Sequence, residues 1–375
     1  MIPLFKVYMN ELAIEFASDI LRSGYIGQGK VVDQFENKLS DWFEHPYVVT
    51  TNTGTSALHL ALYMLKYYGF AGLPGSNKVL TSPMTCSATN MPIVVNGYDI
   101  VWVDIDPDTL LMDLDDLEKK IDYDTRIIII PYWGGACVDL EKLDAIRERC
   151  YRKHGFHPVV IEDCAHAFGT TYRGIKVGRW GNWSMFSLQA IKHITSIDGG
   201  VLLLPGETHY EVAKLMRWYG IDRENNKNFR CDLDIKVEGF KFHMNDVCAA
   251  VGLSNFKDIE WILEKHRDNA RYYNERLKGV DGVTSLSVDK DVNSAYWLYT
   301  ILVDRRDDFI KAMADRGVAV SQVHERNDKF SCFNKYETEL PNLDKVSDKI
   351  VNIPVGWWVT AAERIYIVQS IKEGW

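Results

Sequence analysis

Between residues 47 and 205, short unbroken apolar runs alternate with stretches in which apolar residues return every three or four positions. The runs are "YVVT", "KVLTS", "DIVWVDI", "RIIIIP", "HPVVIED", "WSMFSL" and "GVLLL". Their length and β-branched content predict buried strands. Between them, "TSALHLALYMLKYYG" and "DLEKLDAIRERCYRKHG" carry helical spacing, the second closing on a glycine that ends a helix well. Strand and helix in alternation predict an α/β fold with a mainly parallel, doubly wound sheet and helices on both faces. Such sheets bind ligands beyond the carboxyl ends of their strands, so the residues that follow each run carry the candidate chemistry. Beyond residue 245 the rhythm changes to a long amphipathic stretch, "NDVCAAVGLSNFKDIEWILEKHRDNARYYNERLKG", then strand-like "AYWLYTILV" and a closing helix near "TAAERIYIVQSIKEG". This predicts a large domain over residues 1–245 and a smaller C-terminal α+β domain over 246–375.

Composition narrows the picture. A chain of 375 residues exceeds what one core comfortably fills, since single cores stop growing near ~250–300 residues. With 46% hydrophobic and 25% charged residues it has the balance of a water-soluble globular protein. No apolar run approaches the ~18 residues that suggest a membrane span. The opening "MIPLFKVYMNELAIEF" lacks the pattern of a secretory leader, so a cytoplasmic location without membrane association is expected. A net charge of −9 without a long basic run argues against nucleic acid as a partner. The seven cysteines, Cys86, Cys137, Cys150, Cys164, Cys231, Cys248 and Cys332, are odd in number, scattered and without a CxxC pair. They read as reduced thiols, with neither a disulfide frame nor a metal site.

Three constellations carry candidate chemistry. In "TNTGTSALHLAL", Gly54, Thr55 and Ser56 open a helix, where unpaired N–H groups, hydroxyls and the helix dipole suit a phosphate. Ordinary N-capping by Thr53 or Thr55 is the alternative. In "HPVVIEDCAHAFGTTYRG", Asp163 directly follows a buried run and needs a cationic or donating partner. A protonated pyridine nitrogen would serve, as would a structural base or the next helix, and His166 is either a core histidine or a neighbour of the same ligand. In "SLQAIKHITSIDGG", Ser187 precedes Lys192 and the pair Gly199-Gly200. A lysine in a dry site loses its proton readily and forms Schiff bases. The order of glycine turn, strand-end aspartate, serine and lysine is what pyridoxal phosphate requires.

The blocks "YIGQGKVVDQFENKLSDWFEHPYVVTTNTGTSALHLAL", "VWVDIDPDTLLMD", "IEDCAHAFGTTYRG", "FSLQAIKHITSIDGG", "GFKFHMNDVCAAVGL" and "LPNLDKVSDKIVNIPVG" stand in one order along nearly the whole chain. Together they resemble the DegT/StrS group of fold-type I, pyridoxal-phosphate-dependent nucleotide-sugar aminotransferases. The resemblance implies a seven-stranded, mainly parallel mixed sheet in the large domain. It implies that Lys192 holds the cofactor as a Schiff base and then moves the proton, that Asp163 keeps the pyridine nitrogen protonated, and that Ser187 with Gly54, Thr55 and Ser56 binds the phosphate. His166 would lie near the ring face or its phenolic oxygen. Two positions depart from the family pattern: Cys86 stands where an aromatic ring usually stacks on the cofactor, and Lys241 where many relatives place an asparagine that reaches the phosphate in the neighbouring subunit. The latter implies a homodimer with shared active sites. Tyr25, Gly27, Gln28 and His324 are the candidates for binding the sugar nucleotide.

The implied reaction takes the amine of L-glutamate, with pyridoxamine phosphate as the carrier, to a nucleotide-linked 4-keto-6-deoxyhexose. The product is a 4-amino-4,6-dideoxy sugar of the perosamine or viosamine kind. Amination at a 3-keto group and a sugar dehydratase are the alternatives. The related 3-dehydratases carry histidine where this chain has Lys192, so amino transfer is favoured.

Overall fold

The structure, a computed structural model, describes residues 1–69, 77–223 and 234–375; Cys231 lies outside the described residues. Each of the seven apolar runs contains one strand. They are β1 (Val48–Thr51), β2 (Lys78–Thr81), β3 (Asp99–Trp102), β4 (Thr125–Pro131), β5 (Val159–Asp163) and, after a short hairpin of β6 (Thr171–Tyr172) and β7 (Ile175–Lys176), β8 (Trp183–Ser187) and β9 (Gly200–Leu203). They form one sheet in the order β1-β9-β8-β5-β4-β2-β3. All neighbours are parallel except that β9 runs antiparallel to both β1 and β8. Nearly every residue of these strands is buried, as continuous rather than alternating apolar runs require when both faces are covered.

The first helices are α1 (Glu11–Ser23), α2 (Lys30–Phe43), α3 (Gly54–Tyr67) and α4 (Ser87–Val95). Helix α3 buries Ala57, Leu58, Leu60, Ala61, Leu62, Met64 and Leu65, so apolar residues surround most of its circumference and it is held deep against the sheet. The long amphipathic stretch forms two helices, Asp246–Phe256 and Ile259–Arg276. At the break, the N-terminal segment occupies two polar side chains: Asn255 Oδ1 accepts the Asn10 amide at 2.8 Å, and Asp258 Oδ2 accepts the Tyr8 hydroxyl at 2.6 Å. The first of these helices places Ala249, Ala250 and Phe256 in the same core as the central sheet. A second core, with Ile2, Tyr273, Ile301, Phe309, Val351 and Ile367 among its members, surrounds a sheet of β10 (Val283–Ser285), β12 (Tyr299–Val303) and β13 (Ile350–Ile353). Between them, β11 (Val292–Asn293) pairs with β6. Among the described residues no helix is long and apolar enough to cross a membrane.

Helix α2 begins at Gly29, which has no side chain with which to cap it. The carboxylate of Asp246 does so from the distant helix, its Oδ1 accepting the amides of Gly29 at 2.8 Å and Val32 at 3.1 Å, while its own amide donates to Gly27 at 2.9 Å. Removing this carboxylate strands two N–H groups beside a buried helix end. Asp246→Ala is expected to cost about 2–3 kcal/mol, read as a lower urea midpoint, with Asp246→Asn intermediate because its amide oxygen still accepts both N–H groups but without the carboxylate's charge.

Candidate active site

Beyond the carboxyl edge of the sheet, several segments enclose a cavity of about 680 Å³. After β1 the chain turns, and the Thr53 hydroxyl caps α3 by accepting the Ser56 amide at 3.0 Å. Gly54 and Thr55, the first helical residues, line the cavity. The N–H groups of a first helical turn lack helical partners and favour an anion. A Cβ on Gly54 would meet Met185 Sδ at 2.9 Å and Ser187 Cβ at 3.2 Å, so its bare Cα lets α3 lie against the end of β8. Ser187 thereby joins the same wall.

Asp163 ends β5 and is 5% exposed. Its Oδ2 accepts the Thr89 hydroxyl at 2.5 Å and its Oδ1 accepts the Ala165 amide at 3.0 Å. Thr89 is itself bonded to Thr85 at 2.9 Å. Burial pushes the Asp163 carboxyl up, against these two bonds and the nearby Lys192 charge. Each carboxylate oxygen keeps acceptor capacity, and a cationic N–H donor in the cavity would hold this group ionised.

Lys192 sits in the loop between β8 and β9, whose ends are closed by the pairing of Ser187 with Gly200. Burial lowers its ammonium from the usual 10.5 to about 7, with Asp163 and then Cys86 opposing that shift. Its Nζ lies 3.5 Å from the centroid of the Trp297 ring. The indole is clipped to the lysine loop, its Nε1 donating to the Ile191 carbonyl at 2.9 Å. His193 is buried away from the cavity: its Nε2 is 3.0 Å from the Ala295 carbonyl and its ring centroid 4.6 Å from that of His266. Of the two neighbours, only Lys192 faces the cavity.

His166 and His324 complete the wall. The His166 ring stacks on Trp297 with centroids 3.9 Å apart and lies 5.7 Å from His324, nearly parallel to it. Burial, followed by the Lys192 charge, holds His166 well below the ordinary histidine range and His324 at about 4. Both are uncharged imidazoles at neutral pH.

Of the residues expected from the sequence, Gly54, Thr55, Cys86, Asp163, His166, Ser187, Lys192 and His324 line this one cavity. Ser56 does not; its hydroxyl pairs with that of Thr53 at 2.9 Å. Tyr25 is 85% exposed and Lys241 is exposed beside Trp218, with which it forms an isolated bridge. Gly27 lies in the turn before α2, and Gln28 lines a separate cleft with Glu36 and Arg217. Sequence reasoning missed Thr89, which fixes Asp163, and Trp297, which was hidden inside "AYWLYTILV". That run forms a strand only from Tyr299, leaving Trp297 in the preceding loop. It also missed Phe5, whose ring stacks on Trp297 at 5.2 Å. Cys86 lines the cavity without a ring, and the rings of Phe5, Tyr132, Trp133 and Trp297 line the same wall. Among the described residues no cluster of side chains could hold a metal ion.

An anion cradle, a buried carboxylate with room for an N–H donor and an amine that is half neutral near pH 7 meet the demands of pyridoxal phosphate. The model of the DegT/DnrJ/EryC1/StrS aminotransferase family matches residues 8–372. The chain belongs to this family of aminotransferases. It is similar to the crystal structure of AtS13 from Actinomadura melliaura (TM-score 0.96, 44% identity, 100% of this chain and 99% of that one). It is also similar to the sugar aminotransferase CalS13 from Micromonospora echinospora (TM-score 0.94, 42% identity, 100% of both chains). The UDP-4-amino-4-deoxy-L-arabinose–oxoglutarate aminotransferase of Shewanella sediminis (strain HAW-EB3) is 28% identical over 99% of this chain and 97% of its own length.

The depressed Lys192 ammonium has a direct readout. A neutral amine attacks aldehydes and an ammonium does not, so reactivity must rise with pH through the midpoint. In cofactor-free protein, trapping of Lys192 by a small aldehyde and cyanoborohydride, followed by peptide mass spectrometry, is expected to reach half its maximum near pH 7. A midpoint near the usual 10.5 would show that the site is wet.

Proposed function

We propose that this family member transfers the amino group of L-glutamate to the keto carbon of a nucleotide-linked 4-keto-6-deoxyhexose, with Lys192 as the reacting lysine. The single observation that carries the lysine assignment is the half-buried Lys192 amine facing the same cavity as Asp163 and the Gly54–Thr55 helix start. The donor and the position of amination are supported by the name of the Shewanella relative, which specifies oxoglutarate and a 4-amino sugar.

Bound in this cavity, pyridoxal phosphate supplies an aldehyde for amine exchange and a ring that withdraws electrons from the carbon bearing nitrogen. Gly54, Thr55 and Ser187 would hold its phosphate, with Ser56 supporting the turn from behind. Asp163, oriented by Thr89 and the Ala165 amide, would accept the pyridine N–H, keeping both charges paired where water is excluded. Lys192, released when a substrate amine takes its place, would move the proton between carbons as a base poised near neutrality. His166 and His324, being uncharged, would offer hydrogen bonds without competing for the substrate's negative charge. Glutamate leaves as 2-oxoglutarate before the keto sugar exchanges its oxygen for the amine. One cavity then serves both substrates in turn, and initial rates should give parallel lines in double-reciprocal plots.

Tyr25 and Lys241, exposed on one chain, and Gly27 and Gln28 in the turn before α2 fit a site completed by a second copy. The proposal therefore includes a homodimer, and sedimentation equilibrium should return twice the chain mass; a monomer that retains full activity would contradict it.

The test of the reaction is a panel of nucleotide-linked 4-keto and 3-keto sugars with L-glutamate, the product read by mass spectrometry. Replacement of the keto oxygen by an amine on a 4-keto sugar is expected, and Lys192→Ala should lose at least ~10³-fold in rate. Turnover of 3-keto sugars alone would move the position of amination. Loss of a sugar hydroxyl without a new amine would make the chain a dehydratase.

A further inference from the structure

The Trp297 ring has no part in the phosphate, pyridine-nitrogen or proton-transfer tasks above, yet its face stands against the reacting amine. Lys192 Nζ stands 3.5 Å from its centroid, and a cation is drawn to the electron-rich face of an indole more than to any other side-chain ring. The contact is braced from three sides. The indole N–H is tied to Ile191, the residue before the lysine. His193, the residue after it, is 3.0 Å from the carbonyl of Ala295, and His266 reaches the carbonyl of Tyr296 at 2.9 Å, so the two residues preceding Trp297 are pinned as well. The rings of His166 and Phe5 then pack on the same indole. Two neighbouring buried histidines are an expensive way to fill space, and here both are bonded to the backbone that carries Trp297.

We propose that the face of Trp297 is the resting place of the Lys192 amine whenever that amine is not joined to the cofactor, holding it within reach of the substrate carbon between successive proton transfers. This rests on Lys192 being the reacting lysine. In the amination cycle the lysine is displaced once and stays free through both half-reactions until the product amine leaves, and a free, flexible side chain in a cavity of this size has many places to go. The indole face supplies one that is close, apolar and weakly attractive to the charged form, so the amine accepts a proton there without being trapped as it would be by a carboxylate. Among the described residues, the titratable side chains that act on the amine are Asp163, Cys86, His166, His193 and His324, with Asp198 on the same cavity wall; Asp163 is the carboxylate whose charge favours the ammonium, and the Trp297 face lies against the amine.

Two measurements test this. The first is the pH dependence of aldehyde trapping at Lys192 in cofactor-free wild type, Trp297→Leu and Trp297→Phe. Removing the ring withdraws a stabiliser of the ammonium, so Trp297→Leu should lower the midpoint by about one pH unit, with Trp297→Phe between it and wild type. An unchanged midpoint in folded Trp297→Leu, with trapping still efficient, would reduce Trp297 to packing. The second needs no variant: in a crystal structure of the wild-type protein soaked with pyridoxamine phosphate, Nζ should lie within about 6 Å of the indole centroid, and an amine turned elsewhere would overturn the proposal. The underlying assignment fails separately. If pyridoxal phosphate and borohydride label Lys192→Ala as fully as wild type, Lys192 is not the reacting lysine, whatever Trp297 does.

Discussion

The withdrawal of one amine and one carboxyl from bulk water underlies the chemistry of this protein. Burial moves Lys192 and Asp163 in opposite directions on the pH scale for the same reason: each is disfavoured in its charged form when solvent is removed. Left alone, such a pair would drift toward neutrality. The protein resists this at the carboxyl with the Thr89 hydroxyl and the Ala165 amide, and leaves the amine with little but an aromatic face. The asymmetry is the design: the carboxyl is held as a fixed partner, the amine is kept free to react.

The adjacent carboxyl, Glu162, shows how finely strand geometry sorts like groups. Successive side chains of a strand point to opposite faces. Glu162 therefore lies on the far side of β5, fully buried, where its Oε1 accepts the Asn182 amide at 2.7 Å and its Oε2 the Gly178 N–H at 3.3 Å. One residue of register separates a carboxyl that serves the cavity from one that ties the sheet to the loop before β8.

Most of the sheet was legible in the sequence because continuous apolar runs between turn residues leave few alternatives. The Gly54–Thr55 turn, Asp163, Ser187 and Lys192 were legible because each ends or follows a strand or opens a helix. Thr89 and Trp297 were not. A threonine inside a short helix and a tryptophan in an apolar run carry no local mark of their role, which arises from contacts across long stretches of chain. The break at Lys257–Asp258 was hidden for the same reason: periodicity continues through it, and the N-terminal segment that occupies Asn255 and Asp258 lies some 250 residues away. Phe5 was invisible because nothing in the opening residues announces that they return to the cavity.

The antiparallel entry of β9 has a consequence for how the site is assembled. Because β9 returns beside β8 at once, the loop that carries Lys192 is closed by contacts short in sequence, whereas Trp297, His324 and Phe5 reach it only across spans of roughly a hundred residues or more. Closing short loops loses less chain entropy than closing long ones. The lysine hairpin can therefore stand in register while the wall around it is still missing, and the amine passes from a hydrated group to a dry one only when both ends of the chain have come home. Its reactivity is in that sense a certificate of complete folding.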